Sequence, residues 1–491
     1  DVHINNDDGT LCMKLEGLTL APVTQVERTY IASEASQWLY DIAWEAKTLS
    51  RPAPDSPKET TGAYRIILAD DNVYTKALVT AMPEAQFVVV QPGDKYCCDE
   101  SGIYHVNPEN PDDFTCLLNQ IRETHGENCC GFLHAWGLSA DLPKLSVDTL
   151  NQALQSSWAG LFHLVVAMAE SPLAREIRLV VLTCGARCVR PYGEPGTTPL
   201  DGPRVNPTQA SIAGVALSIA AEYPNLHCGC IDFDPAANVT EVATAIASEL
   251  STPMEDDIVA IRDGIRYASR LKPMCRNNTE HTFIEFDADA TYLITGGFGG
   301  IGLVVANWMA EQGARNLVLT GRRGATEDAR EALKSLEALG VTVLAGIADV
   351  TDATALRKVL DEAKETMPPL RGVMHAAGVL GEGLLSQQNL ERCQETLAPK
   401  VSGTWNLHEL TMDLYLDFFV LFSSSSAVLH TAGTGPYAGA NSFLDAFAHY
   451  RRQLDLPATS IHWGAWHDLG MGTLRTGPDT KWGIGSIPSY H

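Results

Sequence analysis

Short apolar runs recur along this chain, separated by longer segments in which apolar and polar positions alternate with a helical period. The first runs cover 64–69, 87–90, 131–134, 179–183 and 228–233, with helix-like segments such as 147–169 and 210–222 between them. Apolar strands joined by amphipathic helices are the rhythm of a parallel, doubly wound sheet, because each crossover helix has to cover a face of the sheet. A second cycle opens at 292–295 and continues through 316–320, 342–347, 372–375, 418–423 and 459–463. The expected fold class is therefore α/β, with two doubly wound parallel-sheet subdomains.

The two cycles also share residues. LHAWGL at 133–138 resembles MHAAGV at 374–379, and RLVVLTCGA at 178–186 resembles FFVLFSSSS at 418–426. His134 to Thr183 and His375 to Ser424 are both 49 positions apart. That agreement pairs Thr183 with Ser424 and makes the halves copies of one fold. Before the first cycle lie an aromatic stretch at 38–44 and a polar interval at 49–62 (LSRPAPDSPKETTG). Before those come two short apolar stretches, 11–15 and 18–23, read as the end of a preceding unit. The divisions expected are 1–24, 25–62, 63–281 and 282–491.

Length and composition narrow the picture. At 491 residues the chain is about three times the typical ~150-residue domain. A net charge of -25 opposes the attraction on which nonspecific nucleic-acid or anionic-membrane binding depends. With 45% hydrophobic and 19% charged residues the chain is globular rather than disordered. There is no run of 18 apolar residues and no signal-peptide pattern, so neither a membrane span nor secretion is expected. The chain starts at Asp1 without Met, which suggests a piece of a longer polypeptide. Its twelve cysteines, including Cys97-Cys98 and Cys129-Cys130, lack paired zinc-site spacing. They are expected to be reduced thiols of a cytoplasmic protein without a metal site.

Candidate chemistry lies in the second cycle. Its first strand runs into Gly296, Gly297, Phe298, Gly299, Gly300, Ile301 and Gly302, and then into a helix. Glycines there permit a sharp turn and a close backbone approach to a pyrophosphate, whose charge meets the positive helix N-terminus. The next strand ends at Arg322 and Arg323, where a domain that prefers NAD would carry an acidic residue for the ribose. A guanidinium suits a 2'-phosphate, so NADPH is the expected cofactor. The matching turn of the first half reads Asp70-Asp71-Asn72-Val73, whose carboxylates would repel a dinucleotide. Further on, Ser424 closes a strand, Tyr437 and Asn441 share a helix face four residues apart, and Lys400 precedes them on what is read as a helix. Reduction of a ketone needs a proton donor, and a phenol with a reference pKa of about 10 needs a nearby cation to make its ionised form accessible. Tyr437 with Lys400 supplies that pairing, and Ser424 can hydrogen-bond the substrate oxygen.

These segments resemble the ketoreductase of a modular polyketide synthase, a relative of the short-chain dehydrogenase/reductases. The resemblance is carried by TYLITGGFGGIG (291–302), TGRRG (320–324), ADVTD (348–352), HAAGVL (375–380), LAPKVSGTWNLHEL (397–410), FVLFSSSSAVLHTAGTGPYAGANSFLDAFA (419–448) and SIHWGAWHDLGMG (460–472). It extends to the first half through QWLYDIAW (37–44) and AEYPNLHCGCIDFDP (221–235). It implies two Rossmann-like subdomains, a degenerate structural one followed by a catalytic one. Tyr437 would donate the proton, Ser424 would orient the carbonyl, and Lys400 and Asn441 would complete a tetrad. Asn441 stands where simpler relatives carry the lysine. Asp349 and Val350 would edge the adenine, and Ala376, Ala377 and Gly378 would line the ribose and nicotinamide. Trp463 and Gly464 would begin a mobile segment over the substrate. The first half has Thr183 in place of the serine and Gly196 in place of the tyrosine.

The resemblance further implies a β-ketoacyl thioester on an acyl carrier protein as substrate. Stereochemistry follows Glu382, the acidic third position after the HAAG segment, and Leu429, where A-type relatives carry Trp. This pattern leans to the B-type alcohol while leaving chirality open. DVHINNDDGTLCMKLEGLTLAPV (1–23) resembles the end of a dehydratase, which would make a dehydratase an upstream neighbour. Two other readings are the ketoreductase of a fatty-acid-synthase-like enzyme and an inactive scaffold. Because carrier proteins are acidic, a local basic patch including Arg451 and Arg452 is expected.

Overall fold

A computed structural model of the chain describes residues 2–5, 11–15, 39–49, 63–138, 145–174, 176–189, 205–273, 286–464 and 466. Contacts divide the chain into two units, Asp1–Ile42 with Leu271–His281 and Ala43–Arg270 with Thr282–His491. In the smaller unit, β1 (Val2–Asn5) and β2 (Leu11–Leu15) form an antiparallel pair. The other expected stretch, 18–23, lies outside the described residues.

Apart from Tyr40–Ile42 and Leu271–Pro273, which fall in the smaller unit, the larger unit holds both cycles. The first comprises β3 (Tyr40–Ala46), β4 (Tyr64–Ala69), α1 (Val73–Ala81), β5 (Gln86–Pro92), β6 (Cys97–Cys98), β7 (Tyr104–Val106), α2 (Pro111–His125) and β8 (Cys129–Ala135). It continues with α3 (Val147–Ala153), α4 (Ala159–Glu170), β9 (Leu179–Cys184), α5 (Pro207–Glu222), β10 (Gly229–Phe233), α6 (Val239–Leu250), β11 (Ile258–Arg262) and β12 (Ile265–Pro273). The sheet order is β3-β12-β11-β10-β9-β8-β4-β5-β7-β6. Its centre is parallel and buried on both faces, as the wholly buried β4 and β9 require. The helix expected over 147–169 is interrupted by a π-turn at Leu154–Trp158. An antiparallel hairpin, β11–β12, stands outside the sequence expectations. Its two-residue turn, Asp263-Gly264, has positive φ at both positions and the residue pair that such a turn favours.

The second cycle comprises β13 (Thr291–Thr295), α7 (Gly300–Glu311), β14 (Asn316–Gly321), α8 (Glu327–Ala338), β15 (Thr342–Ile347), α9 (Ala353–Thr366), β16 (Leu370–His375), α10 (Leu390–Leu397), α11 (Ser402–Thr411), β17 (Phe418–Ser424), α12 (Gly435–Arg452) and β18 (Thr459–Trp463). Its sheet is parallel throughout, in the order β15-β14-β13-β16-β17-β18. The order reverses between β13 and β16, and the carboxyl ends of strands at such a point are where doubly wound sheets bind ligands. The expected fold class is the one observed.

Strand register revises one expected correspondence. His134 pairs with Val181 across β8 and β9, and His375 pairs with Leu421 across β16 and β17. Two residues beyond those pairs lie Thr183 and Ser423, so Thr183 corresponds to Ser423 rather than Ser424. The equal spacing of 49 was one residue out of structural register. Gly196 lies outside the described residues.

The halves share a core through α5 and α12, both almost wholly buried. Gly214 and Gly439 let these helices approach backbone to backbone. A Cβ on Gly214 would stand 2.6 Å from the Ala438 carbonyl oxygen, and one on Gly439 would stand 2.9 Å from that of Ser211. Trp158, Ile212, Phe443 and Phe447 then belong to one apolar cluster that spans both halves.

The expected basic patch is not present at Arg451. That residue is buried, its guanidinium lying 3.9 Å from the Phe419 ring centroid and against His408 Nδ1 at 2.8 Å. Arg452 is half-buried and donates to the Ala458 carbonyl. Both close the end of α12. Among the described residues no helix is long and apolar enough to cross a membrane.

Candidate active site

The turn after β13 is built by its glycines. Gly296 has φ of 68°, and a Cβ there would come within 2.9 Å of the Ala376-Ala377 peptide. A Cβ on Gly302 would run into the Gly296 carbonyl oxygen. The chain therefore lies flat against the end of β16, and α7 begins at Gly300 with no side chain capping its first amides. Those N–H groups and the helix dipole form an anion-binding end.

A cavity of about 210 Å³ opens here. Of the expected cofactor residues, Gly296, Gly299, Gly300, Ile301, Gly302, Arg322, Asp349, Val350, Ala376, Ala377 and Gly378 line it. Gly297, Phe298 and Arg323 do not. Gly297 is pressed against Ile294 and Leu319, Phe298 packs over Gly321, and Arg323 is exposed. Thr295, Thr320, Ala348, Val379 and Pro399 also line the cavity without having been expected. A glycine cradle with an uncapped helix start fits a nicotinamide dinucleotide, with Arg322 on its wall after β14.

In the first half the same turn is closed by its own residues. Asp70 accepts a hydrogen bond from Gly137 N at 2.6 Å, joining the ends of β4 and β8 where Gly296 meets Ala376 in the second half. The carboxylate thus occupies the approach that glycine leaves open.

Lys400 sits on the turn between α10 and α11, not on a helix as expected, and is buried with 3% exposure. Its Nζ donates to the Phe422 carbonyl at 2.6 Å and lies 5.8 Å from the Tyr437 ring centroid. Burial lowers its pKa from 10.5 to about 8, against the opposing pull of Asp445. Gly378 makes room for it, since a Cβ there would stand 3.0 Å from Lys400 Cε. Ser424 ends β17, with its Oγ accepting from Ser426 N. Asn441, one turn after Tyr437 on α12, donates to the Tyr437 carbonyl at 2.8 Å. Its Oδ1 is buried and makes no hydrogen bond among the described residues.

A supporting layer escaped sequence reasoning. His375 Nδ1 lies 2.6 Å from Thr295 Oγ1, and its Nε2 lies 3.1 Å from the Pro399 carbonyl oxygen, so the ring ties β13 to the turn of Lys400. Burial and the Lys400 charge lower its pKa to about 3, which keeps it neutral. Asp445, one turn beyond Asn441, accepts from Ser460 Oγ at 2.6 Å and stands 2.8 Å from His462 Nε2. Burial pushes its pKa up, but His462, Ser460 and Ser423 outweigh it and leave the carboxyl below its usual range. The i, i+4, i+8 spacing of Tyr437, Asn441 and Asp445 was a signal for that carboxylate.

The expected substrate-side residues are more dispersed. Glu382 is exposed on the segment after β16, and Leu429 is half-buried after β17. Trp463 ends β18 and stacks on Phe422 at 5.5 Å, followed by Gly464. Most of the segment beyond lies outside the described residues. Among the described residues, no group of three or more His, Cys, Asp or Glu side chains is arranged to hold a metal ion.

A glycine cradle at the point where the strand order of a doubly wound sheet reverses, with a buried lysine beside a tyrosine, is a Rossmann-like arrangement. Residues 290–468 match the family described as KR domain, and residues 64–194 match that described as beta-ketoacyl synthase-like, N-terminal. One phenolphthiocerol/phthiocerol polyketide synthase chain of Mycobacterium tuberculosis is 30% identical over 483 residues, covering 96% of this chain and 25% of that protein. A solved A-type ketoreductase from a modular polyketide synthase is 29% identical with a TM-score of 0.72, over 89% of this chain and 85% of that one. An A1-type ketoreductase is 28% identical with a TM-score of 0.73, over 92% and 88%. Residues 290–468 thus carry a KR domain, and the chain is similar in sequence and fold to ketoreductases of polyketide synthases. It spans about a quarter of the length of that curated relative.

Proposed function

We propose that this protein reduces the β-keto group of a β-ketoacyl thioester, carried on an acyl carrier protein, to the β-hydroxyacyl thioester, using NADPH. The observation that carries this reading is the buried Lys400 ammonium beside Tyr437, with Ser424 at the strand end and the cavity wall at Gly378 adjoining. NADPH, when bound, supplies the hydride. The Tyr437 hydroxyl donates the proton to the carbonyl oxygen as negative charge develops there. Ser424 Oγ donates a hydrogen bond to the same oxygen and orients it. Lys400, held by Phe422, keeps a positive charge beside the phenol and makes its ionised form accessible. Asn441 holds the Tyr437 turn and offers Oδ1 as an acceptor in the path of proton resupply.

Arg322 supports the choice of NADPH over NADH, since it is the cation on the cavity wall at the end of β14. Residues 1–24 are taken as the end of a dehydratase, 25–62 as a linker and the start of the structural half, 63–281 as the structural half and 282–491 as the catalytic half. Ten free cysteines among the described residues support a reducing, cytoplasmic setting. Glu382 and Leu429 are assigned to stereocontrol. The test is oxidation of NADPH, against NADH, with a β-ketoacyl thioester, by the wild type and Tyr437→Phe. Turnover that survives the substitution overturns the assignment, and chiral analysis of the alcohol reads its configuration.

A further inference from the structure

The two segments flanking Tyr437 are joined by a carboxylate from the other half. Glu222 is the last residue of α5, in the cycle that lacks the dinucleotide cradle. Its Oε1 accepts from Gly433 N at 2.9 Å, and its Oε2 accepts from Leu385 N at 2.8 Å. The Ser218 hydroxyl, one turn earlier, lies 2.9 Å from the Thr431 carbonyl oxygen and 3.1 Å from Glu222 Oε1. The segments also touch each other. Gly383 N donates to the Gly433 carbonyl at 3.1 Å, and Leu385 packs against Gly435, where a Cβ would meet its Cδ2 at 2.8 Å.

Both segments lead to the site. The one through Leu385 continues from the cavity wall at Ala376 and Val379. The one through Gly433 enters α12 two residues before Tyr437, at Gly435. A carboxylate with one oxygen on each fixes the gap between them, because either segment can shift only by breaking a charge-assisted bond. Gly433, at φ of 74°, can turn its N–H toward that oxygen, which a residue with a side chain would do under strain.

We propose that Glu222 is a positioning residue of the reduction: the half without its own chemistry sets the spacing of the two walls beside Tyr437, and so the face on which a ketone is held. This rests on Tyr437 being the proton donor. A wall that moves changes how far the carbonyl sits from the phenol and which prochiral face is presented, without touching the glycine cradle.

The test uses the whole chain, NADPH and an α-methyl β-ketoacyl N-acetylcysteamine thioester as probe. Glu222→Ala is expected to lower kcat roughly 10- to 100-fold, as misplacement of a reacting group by about 1 Å does. It also changes the diastereomer ratio of the alcohol and leaves NADPH affinity as in the wild type. Glu222→Gln, nearly isosteric, accepts from only one N–H and falls between. Hydrogen exchange of peptides covering 381–388 and 429–435 speeds up in both variants while the rest of the chain keeps its protection. A wild-type diastereomer ratio and kcat in folded Glu222→Gln and Glu222→Ala overturns the proposal, as does unchanged exchange in both peptides. Tyr437→Phe run alongside separates the causes. If it turns over like the wild type, the reading of the site fails and this proposal with it; if it is inactive while the Glu222 variants behave as wild type, only the role of Glu222 fails.

Discussion

In the proposed reduction, Lys400 is the residue whose environment should most directly set the pH behaviour. Its buried ammonium titrates at about 8 instead of 10.5. Below that pH it is charged and supports the phenol; above it, the charge beside Tyr437 disappears. Reduction should therefore fall as pH rises through about 8, measured as kcat between about pH 6 and 10. Lys400→Met should remove that limb and lower kcat by roughly 100-fold or more. Tyr437→Phe should do at least as much, with NADPH binding retained, since Tyr437 is not part of the cavity lining. Arg322→Ala should raise KM for NADPH about tenfold or more while changing KM for NADH little, because a charge-assisted bond contributes about 1.5–3 kcal/mol. Arg323→Ala should change neither, as that side chain does not border the cavity.

At the scale of elements, close helix packing depends on two glycines. Gly214→Val would force side-chain carbon into the Ala438 carbonyl and Ser442. It should destabilise the protein by about 1–3 kcal/mol or more, seen as a lower urea midpoint. The expected strands of both cycles were observed with ends shifted by two residues at most, because short apolar runs between amphipathic segments have few alternatives. The hairpin β11–β12 was also legible, in Asp263-Gly264 between an apolar run and an alternating one, but the strand–helix rhythm before and after it masks it. The break in 147–169 was not legible: the apolar pattern passes through Leu154–Trp158 without a glycine or proline, and packing alone decides the extra turn.

For the molecule as a whole, the two copies of the fold differ at the turn after their first strands. Asp70 bonded to Gly137 N closes the cradle of the first half, so calorimetry should find one NADPH per chain. The second half expressed alone should lose cooperative unfolding, because α12 would expose Phe443 and other residues that now share a core with α5. Arg451 contributes nothing to a basic patch, because its guanidinium is buried inside the fold.

The sequence by itself determined the α/β class, the doubled cycle and the glycine turn, and it nominated the four groups proposed for the chemistry, Lys400, Ser424, Tyr437 and Asn441. These are written in local pattern and residue chemistry, which survive without coordinates. Only the tertiary structure decided which of Arg322 and Arg323 borders the cavity, that Thr183 answers to Ser423, and that Lys400 is buried deeply enough to titrate near neutrality. It also decided that His375 and Asp445 brace the site and that Glu222 reaches the segments beside Tyr437 from the other half. Each depends on which distant segments exclude water together; Asp445 left a trace in its spacing of eight from Tyr437, while register, burial and charge pairing across such distances carry no signature along the chain.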